Sequence, residues 1–119
     1  GELYAGGLFE TAGGVPAKNI AKWNGTSWSA VGSGITEQVY TLVSYNNKLY
    51  AGGAFRILTG NAGDYIICWD GSQWRNVGSG TDGPVFSIIQ DSQGLIVGGD
   101  FSTAGGIPAK NVARFNITE

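Results

Sequence analysis

Short runs of apolar residues follow one another along the chain and are separated by Gly, Asn and Asp. In the middle of the sequence these runs predict four strands, at about 39–45, 49–55, 65–70 and 73–77. Val, Ile, Tyr, Trp and Thr dominate the runs, as is typical of pleated β-structure. No window of 11 residues keeps the spacing of apolar residues that an amphipathic helix requires. The pattern therefore predicts an all-β chain.

The residues between the predicted strands are typical of tight turns. Asn46-Asn47 and Gln93-Gly94 separate a first strand, a, from a second, b. Asn24-Gly25 and Asp70-Gly71 separate a third strand, c, from a fourth, d. Asn-Gly and Asp-Gly favour type I′ hairpins, in which both central residues have positive φ. Each unit is thus predicted to be a four-stranded antiparallel meander.

The strand pattern repeats without a gap at a period of 46 residues. The sequence LYAGG at 3–7 recurs at 49–53, and as LIVGG at 95–99. Between residues 3–24 and 95–116, 14 of 22 positions are identical. Repeats of four strands and 40–50 residues are the signature of β-propeller blades.

The faces of strand a support blades rather than a two-sheet sandwich. Val39, Thr41 and Val43 are expected on one face, and Tyr40 and Leu42 on the other. Both faces are largely apolar, and a sheet of that kind is covered on both sides. We expect one partial propeller with ten strands: blade 1 with strands b to d at 1–34, a complete blade 2 at 35–80, and blade 3 with strands a to c at 81–119.

The charge and the missing residue types exclude several kinds of function. The net charge is −2 and charged residues make up 13%, which argues against nucleic-acid binding because that needs a basic face. There is no histidine and one cysteine, Cys68, so the chain cannot form a His-dependent nucleophilic site or a thiolate-rich zinc site. We expect no enzyme activity, metal or cofactor. No apolar run is long enough for a membrane helix, and no targeting segment is recognisable; the compartment stays open, with an extracellular location favoured.

The repeat resembles the kelch family. An apolar run that ends in Gly-Gly is followed by an aromatic residue and, five positions later, by a tryptophan; Gly53, Trp69 and Trp74 show this order. The first copy has Gly7, Trp23 and Trp28, and the third stops after Phe115. The resemblance covers the whole chain and implies a propeller of six or seven blades that binds a partner.

The longer loops are the expected binding face, because binding residues favour loops on a rigid scaffold. The b–c and d–a loops carry the polar candidates Lys18, Asn19, Glu37, Asp64, Tyr65, Asp82, Lys110 and Asn111. We expect this face to recognise a protein or a glycan. The alternatives are that Asn19 and Asn111 serve their own loops, that the tryptophans pack between blades rather than stack on sugars, and that the chain is a structural or designed self-assembling fragment without a ligand.

Association with further copies is also expected. Blade 1 would lack strand a and blade 3 strand d, so a lone chain would expose apolar flanks and unpaired edges. A dimer that closes a six-bladed ring is favoured, and a piece of a longer propeller or an exchange of strands between copies are the alternatives.

Overall fold

The computed structural model describes residues 3–32, 34–35, 37–55, 65–77 and 80–116. All regular secondary structure in these ranges is β-strand, and no helix in them could span a membrane. The fourteen strands are β1 (Leu3–Gly6), β2 (Thr11–Ala12), β3 (Val15–Pro16), β4 (Ile20–Trp23), β5 (Trp28–Ala30), β6 (Val39–Tyr45), β7 (Lys48–Gly53), β8 (Ile66–Trp69), β9 (Trp74–Asn76), β10 (Val85–Asp91), β11 (Gly94–Gly99), β12 (Thr103–Ala104), β13 (Ile107–Pro108) and β14 (Val112–Asn116).

Ten of these strands form three antiparallel sheets, which have the architecture of β-propeller blades. Sheet 1 has the order β1-β4-β5, sheet 2 the order β6-β7-β8-β9, and sheet 3 the order β10-β11-β14. The other four strands form two small hairpins, β2-β3 and β12-β13, inside the b–c loops of sheets 1 and 3. The sequence predicts only loops at these positions, because two-residue strands are too short to show alternation.

The turns differ partly from the prediction. Asn46 and Asn47 both have positive φ, at 52° and 64°, as a type I′ hairpin requires. The c–d turns are different: Trp69 pairs with Trp74 across a four-residue loop in which Gly71 has a φ of 104° and Asp70 does not have a positive φ. Asp70 Oδ1 instead accepts the backbone N–H groups of Ser72 and Gln73, both at 2.9 Å. The type I′ prediction for these turns is therefore wrong, and the Asp caps the loop.

A β-bulge changes which residues of strand a share a face. The register shifts between Val39 and Thr41 in β6, and the equivalent shift occurs in β10. One extra residue reverses the alternation, so Val39 packs with Leu42 in the core between sheets 1 and 2, while Val43 packs against the core between sheets 2 and 3. The predicted grouping of Val39 with Val43 is therefore wrong.

Sheet 2 buries both of its faces, and one apolar cluster lies on each side. The cluster towards sheet 1 includes Ile20, Val39, Leu49, Ala51 and Ile67. The cluster towards sheet 3 consists of the buried residues Tyr50, Ile66, Cys68, Val77, Val85, Ile88, Leu95, Val97, Phe101 and Ala104. Alternate residues of β7 and β8 thus enter different clusters, which is why these strands read as continuous apolar runs.

Glycine lets consecutive sheets approach each other. A Cβ atom added to Gly6 would lie 2.6 Å from Val39 Cγ1, and one added to Gly52 would lie 2.5 Å from Val85 Cγ1. Real Cβ atoms do not approach carbon so closely, so a side chain here would push the sheets apart. Gly98 occupies the same repeat position, but the nearest atom to its added Cβ is Asn111 O, at 3.8 Å.

We predict that Gly52→Ala lowers the free energy of unfolding by about 1–3 kcal/mol, the usual effect of overpacking a tight core. Gly98→Ala is the matched control, because it makes the same change in the same repeat position without the close neighbour. It should leave stability unchanged or raise it by up to about 1 kcal/mol, since alanine restricts the unfolded chain. Urea denaturation of both variants measures the difference; equal effects would contradict the packing role of Gly52.

Candidate functional site

The b–c loops and the connections between sheets emerge at one end of the sheets, here called the loop end. In the described chain it comprises residues 7–19, 34–35, 37–38, 54–55, 65, 80–84 and 99–111. Backbone hydrogen bonds join the loops of neighbouring sheets: Val39 N–H donates to Gly7 O at 3.1 Å, and Ile35 N–H donates to Lys18 O at 3.0 Å. The loop end is therefore held by the sheets on both sides of the junction between sheets 1 and 2.

An open groove of about 270 Å³ lies at the loop end, between sheet 1 and the segment that enters sheet 2. Its lining residues are Leu8, Phe9, Glu10, Lys18, Asn19 and Glu37. Three of them, Lys18, Asn19 and Glu37, are predicted candidates that the fold brings together. The groove thus combines two carboxylates and one ammonium with an exposed leucine, whose exposed fraction is 73%.

Leu8, Phe9 and Glu10 also line the groove, although they are not among the predicted candidates. A signal for two of them was present, because the repeat breaks at their positions. Leu8 corresponds to Ala54 and Asp100, and Glu10 corresponds to Arg56 and Ser102. Phe9 gave no such signal, since phenylalanine occupies its position in all three copies.

Asn19 forms the buried wall of the groove and holds two sheets together. Its side-chain Oδ1 accepts the Phe9 N–H at 2.9 Å, and its Nδ2 donates to Ile35 O at 2.8 Å. Only 3% of the residue is exposed, and its φ of 64° lies in the left-handed region that asparagine tolerates. The geometry thus favours a structural role for Asn19. Its hydrogen bonds serve its own loop and also reach the segment that enters sheet 2.

The same left-handed position recurs at residues 65 and 111. Asn111 has a φ of 67° and is exposed; when its amide is oriented to suit its neighbours, Nδ2 donates to Gly99 O and Phe101 O, each at 3.1 Å. Tyr65 has a φ of 70°, which is uncommon for a bulky residue. Its backbone keeps the bonds of the asparagine copies, since Tyr65 N–H donates to Phe55 O at 3.0 Å. The bond to Phe55 therefore stabilises a backbone conformation that tyrosine itself does not favour.

Asp82 serves the loop of sheet 3. Its Oδ1 accepts the backbone N–H groups of Ser102 at 2.7 Å and Thr103 at 3.1 Å. These bonds hold the pKa of the Asp82 carboxyl below its usual value. Asp82 thus fastens the connection before β10 to the start of the β12-β13 hairpin, and one of its oxygens is already used.

The other predicted candidates do not join the groove. Lys110 is exposed at the loop end of sheet 3, at the repeat position of Lys18, and Asp64 lies outside the described residues. Within the ranges that the structure describes, no group of three or more His, Cys, Asp or Glu side chains is placed to hold a metal ion.

Two exposed aromatic rings also lie near this end of the sheets. Tyr40 and Phe86 follow the first residue of β6 and β10, at the bulge, and are 42% and 52% exposed. Their ring centroids are 5.2 Å apart and their planes are tilted by 55°. The bulge turns these residues away from both apolar clusters, so they form an exposed aromatic surface at the edge strands β6 and β10.

The four tryptophans pack on one another and on glycine backbone. Trp23 pairs with Trp28, and Trp69 with Trp74, at centroid distances of 5.3 and 5.2 Å. A Cβ atom added to Gly32 would lie 2.8 Å from Trp69 Cζ3, so this ring closes over the end of sheet 1. All four rings are partly buried, and none belongs to the groove lining. These contacts favour the alternative in which the tryptophans pack in the structure rather than stack on sugars.

We predict that Asn19→Ala lowers the free energy of unfolding by about 3 kcal/mol, because Phe9 N–H and Ile35 O lose buried partners and alanine is strained at positive φ. Asn111→Ala is the matched control: the backbone strain is the same, but water can reach the carbonyl groups that the exposed side chain leaves. Its loss should be about 1 kcal/mol. Thermal or urea unfolding checks the difference, and equal losses would show that Asn19 does not couple sheets 1 and 2.

A comparison with protein families gives one match. A model described as a domain of unknown function (DUF5122) β-propeller matches residues 95–116, which run from β11 through the β12-β13 hairpin to β14. No curated protein and no solved structure matches the chain. The match and the three antiparallel sheets agree on a β-propeller-like domain.

Proposed function

We propose that the chain is a non-enzymatic binding module whose loop-end groove recognises an extended segment of a partner protein that carries basic and apolar side chains. The observation that carries the proposal is the groove lining, in which Glu10 and Glu37 lie with Lys18 around the exposed Leu8. Two carboxylates against one ammonium favour a cationic side chain, and Leu8 offers an apolar contact beside it.

The size of the groove supports a protein segment rather than a free small molecule. Sites for drug-sized ligands enclose roughly 300–1,000 Å³, whereas this groove is open and holds about 270 Å³. One or two side chains of a larger partner would fill it. The Tyr40–Phe86 pair, at the same end of the sheets, would add aromatic contact area, which is common at protein interfaces.

The tryptophan packing makes a glycan the weaker choice. Sugar binding by aromatic stacking needs an open ring face, and the described tryptophans use their rings in pairs and against glycine.

The kelch-like order of Gly53, Trp69 and Trp74 is part of the same proposal: we take the repeat to be kelch-like, with its tryptophans used for packing and its loops for recognition.

Residue chemistry supports a role without catalysis. The chain contains no histidine, and burial raises the pKa of the Cys68 thiol, which is the opposite of what a nucleophilic cysteine requires. Cys68 packs in the core between sheets 2 and 3. Its role in the proposal is that of a small apolar residue.

Binding to a randomised peptide array, in parallel with a glycan array, tests the proposal. We expect enrichment of peptides with Lys or Arg next to Leu, Ile or Val. For the best such peptide, fluorescence anisotropy should show a three- to tenfold weaker affinity for the variant with both Glu10→Gln and Glu37→Gln, because each exposed ion pair contributes about 0.2–1 kcal/mol.

Lys18→Gln is the matched control, because it removes a positive charge from the same groove instead of a negative one. Its affinity for the same basic peptide should stay equal or increase. Glycan binding without peptide binding would overturn the choice of partner. Binding of neither would favour the alternative function, a structural or self-assembling propeller fragment without a ligand.

A further inference from the structure

The turn between β4 and β5 carries an Asn-Gly pair, Asn24-Gly25, at the end of sheet 1 opposite the loop end. Residues 24–27 are all exposed, and they join Trp23 to Trp28, which pair across the two strands. The turn lies apart from the groove lining and from both apolar clusters. An asparagine amide that precedes glycine is open to attack by the next backbone nitrogen, because glycine has no side chain to shield that nitrogen.

The hydrogen bonds of the turn activate the Asn24 amide. Its Oδ1 accepts the N–H of Thr26 at 2.8 Å and the N–H of Ser27 at 3.0 Å. When a nucleophile adds to the amide carbon, negative charge develops on this oxygen. Two backbone N–H groups that already point at the oxygen stabilise that charge. The turn therefore lowers the barrier to attack at Cγ of Asn24.

The backbone nitrogen of Gly25 is the nucleophile next to this carbon, and it is open. Among the residues that the structure describes, none accepts a hydrogen bond from the Gly25 N–H. A Cβ atom added to Gly25 would have no atom within 4 Å beyond its chain neighbours. The φ of Gly25 is 101°, and glycine changes its backbone angles at low cost. The nitrogen can therefore approach the side chain of Asn24.

The same turn in sheet 2 shows that a carboxylate fits in place of this amide. Asp70 stands at the repeat position of Asn24, and its Oδ1 accepts two backbone N–H groups at 2.9 Å. These are the bonds that Asn24 Oδ1 accepts in sheet 1. The tryptophan pairs beside the two turns have centroid distances of 5.3 and 5.2 Å. An aspartate at position 24 therefore leaves the turn and its tryptophan pair intact.

We propose that Asn24 is modified spontaneously in the folded chain, and that its amide becomes a carboxylate through a cyclic imide. Gly25 N forms a bond to Cγ of Asn24, and the bond from Cγ to Nδ2 breaks. Nδ2 takes the proton that Gly25 N gives up and leaves as ammonia. Water then adds to one carbonyl carbon of the ring and breaks its bond to the Gly25 nitrogen. Nothing is oxidised or reduced, and water is the co-reactant.

The ring opens to two products. Opening at Cγ gives aspartate, with the spacing that Asp70 shows in sheet 2. Opening at the other carbonyl gives isoaspartate, which adds one carbon to the backbone between the paired tryptophans. Either product adds one negative charge to the net charge of −2. Ser29 stands at the repeat position of Arg75, which pairs with Asp70 in sheet 2, so the new charge lacks that partner.

The Asp70-Gly71 turn is an internal control, because it holds a group that resists the same attack. Hydrogen bonds from the Arg75 side chain and from two backbone N–H groups hold the pKa of the Asp70 carboxyl well below its usual range. Asp70 is therefore ionised at neutral pH, and a carboxylate is a poor target for a nitrogen nucleophile. We expect Asn24 to react while Asp70 remains an ordinary aspartate.

Peptide mass mapping of the folded chain during incubation at mildly alkaline pH tests the proposal, since loss of the Gly25 proton promotes the attack. We expect conversion at Asn24 to be at least about tenfold faster than at Asn111, because Val112 places a branched side chain beside the nitrogen that would attack there. Asn111 is exposed as well, so it controls for access to water. Ion-exchange chromatography should show a more acidic species that grows at the rate of conversion at Asn24.

Two variants check the site and the product. Asn24→Ser keeps a side-chain oxygen that can cap the turn but has no amide, so the acidic species should not form. Asn24→Asp reproduces the product. It should elute with the acidic species and keep the urea midpoint of the unchanged chain, because Asp70 accepts the same two bonds. Circular dichroism checks that both variants are folded.

Incubation in urea, where the chain is unfolded, gives the rate that the local sequence alone allows. If Asn24 converts there but remains an amide in the folded chain, the turn protects it and the proposal is overturned. Equal rates at Asn24 and Asn111 in the folded chain would overturn it as well. An acidic species that persists in the Asn24→Ser variant, or a lower urea midpoint for Asn24→Asp, would also contradict it.

Discussion

Consecutive sheets can pack closely only because glycine faces valine where they meet, and the two apolar clusters form around these contacts. Each junction needs a valine at the start of strand a and a glycine opposite it, Val39 with Gly6 and Val85 with Gly52. The bulge after each valine keeps it on the same side as the apolar residue three positions later. Because both the valine and the glycine recur every 46 residues, the same contact occurs at both junctions. One apolar cluster lies at each of them.

The loop end inherits its geometry from these junctions. Val39 donates its N–H to Gly7 O. Four residues before Val39, the carbonyl of Ile35 accepts a hydrogen bond from the Asn19 side chain. The segment between these two anchors carries Glu37 to the side of Lys18 and Glu10. The groove is thus a consequence of sheet packing, and its charges come from positions at which the repeat is free to vary.

Most of the fold could be predicted from the sequence, and the errors have physical causes. Strand a at 39–45 and the order of four strands follow from apolar runs and turn residues, which are local signals. The bulge at Val39 could not be seen, because one inserted residue leaves the apolar pattern intact while it exchanges the faces. The site was predicted in part, since Lys18, Asn19 and Glu37 do line one groove. The Asp82 carboxylate instead accepts a hydrogen bond from the backbone of Ser102, 20 residues away. Such a long-range contact leaves no local signal in the sequence.

A double-mutant cycle between Gly52 and Val85 measures whether the two residues share one space. Val85→Ala alone should destabilise by leaving a cavity, and Gly52→Ala alone by overpacking. In the double variant the added methyl group takes the space that the valine methyls leave. If they share it, the double variant is more stable than the sum of the single losses by at least about 1 kcal/mol. Additive losses would contradict it.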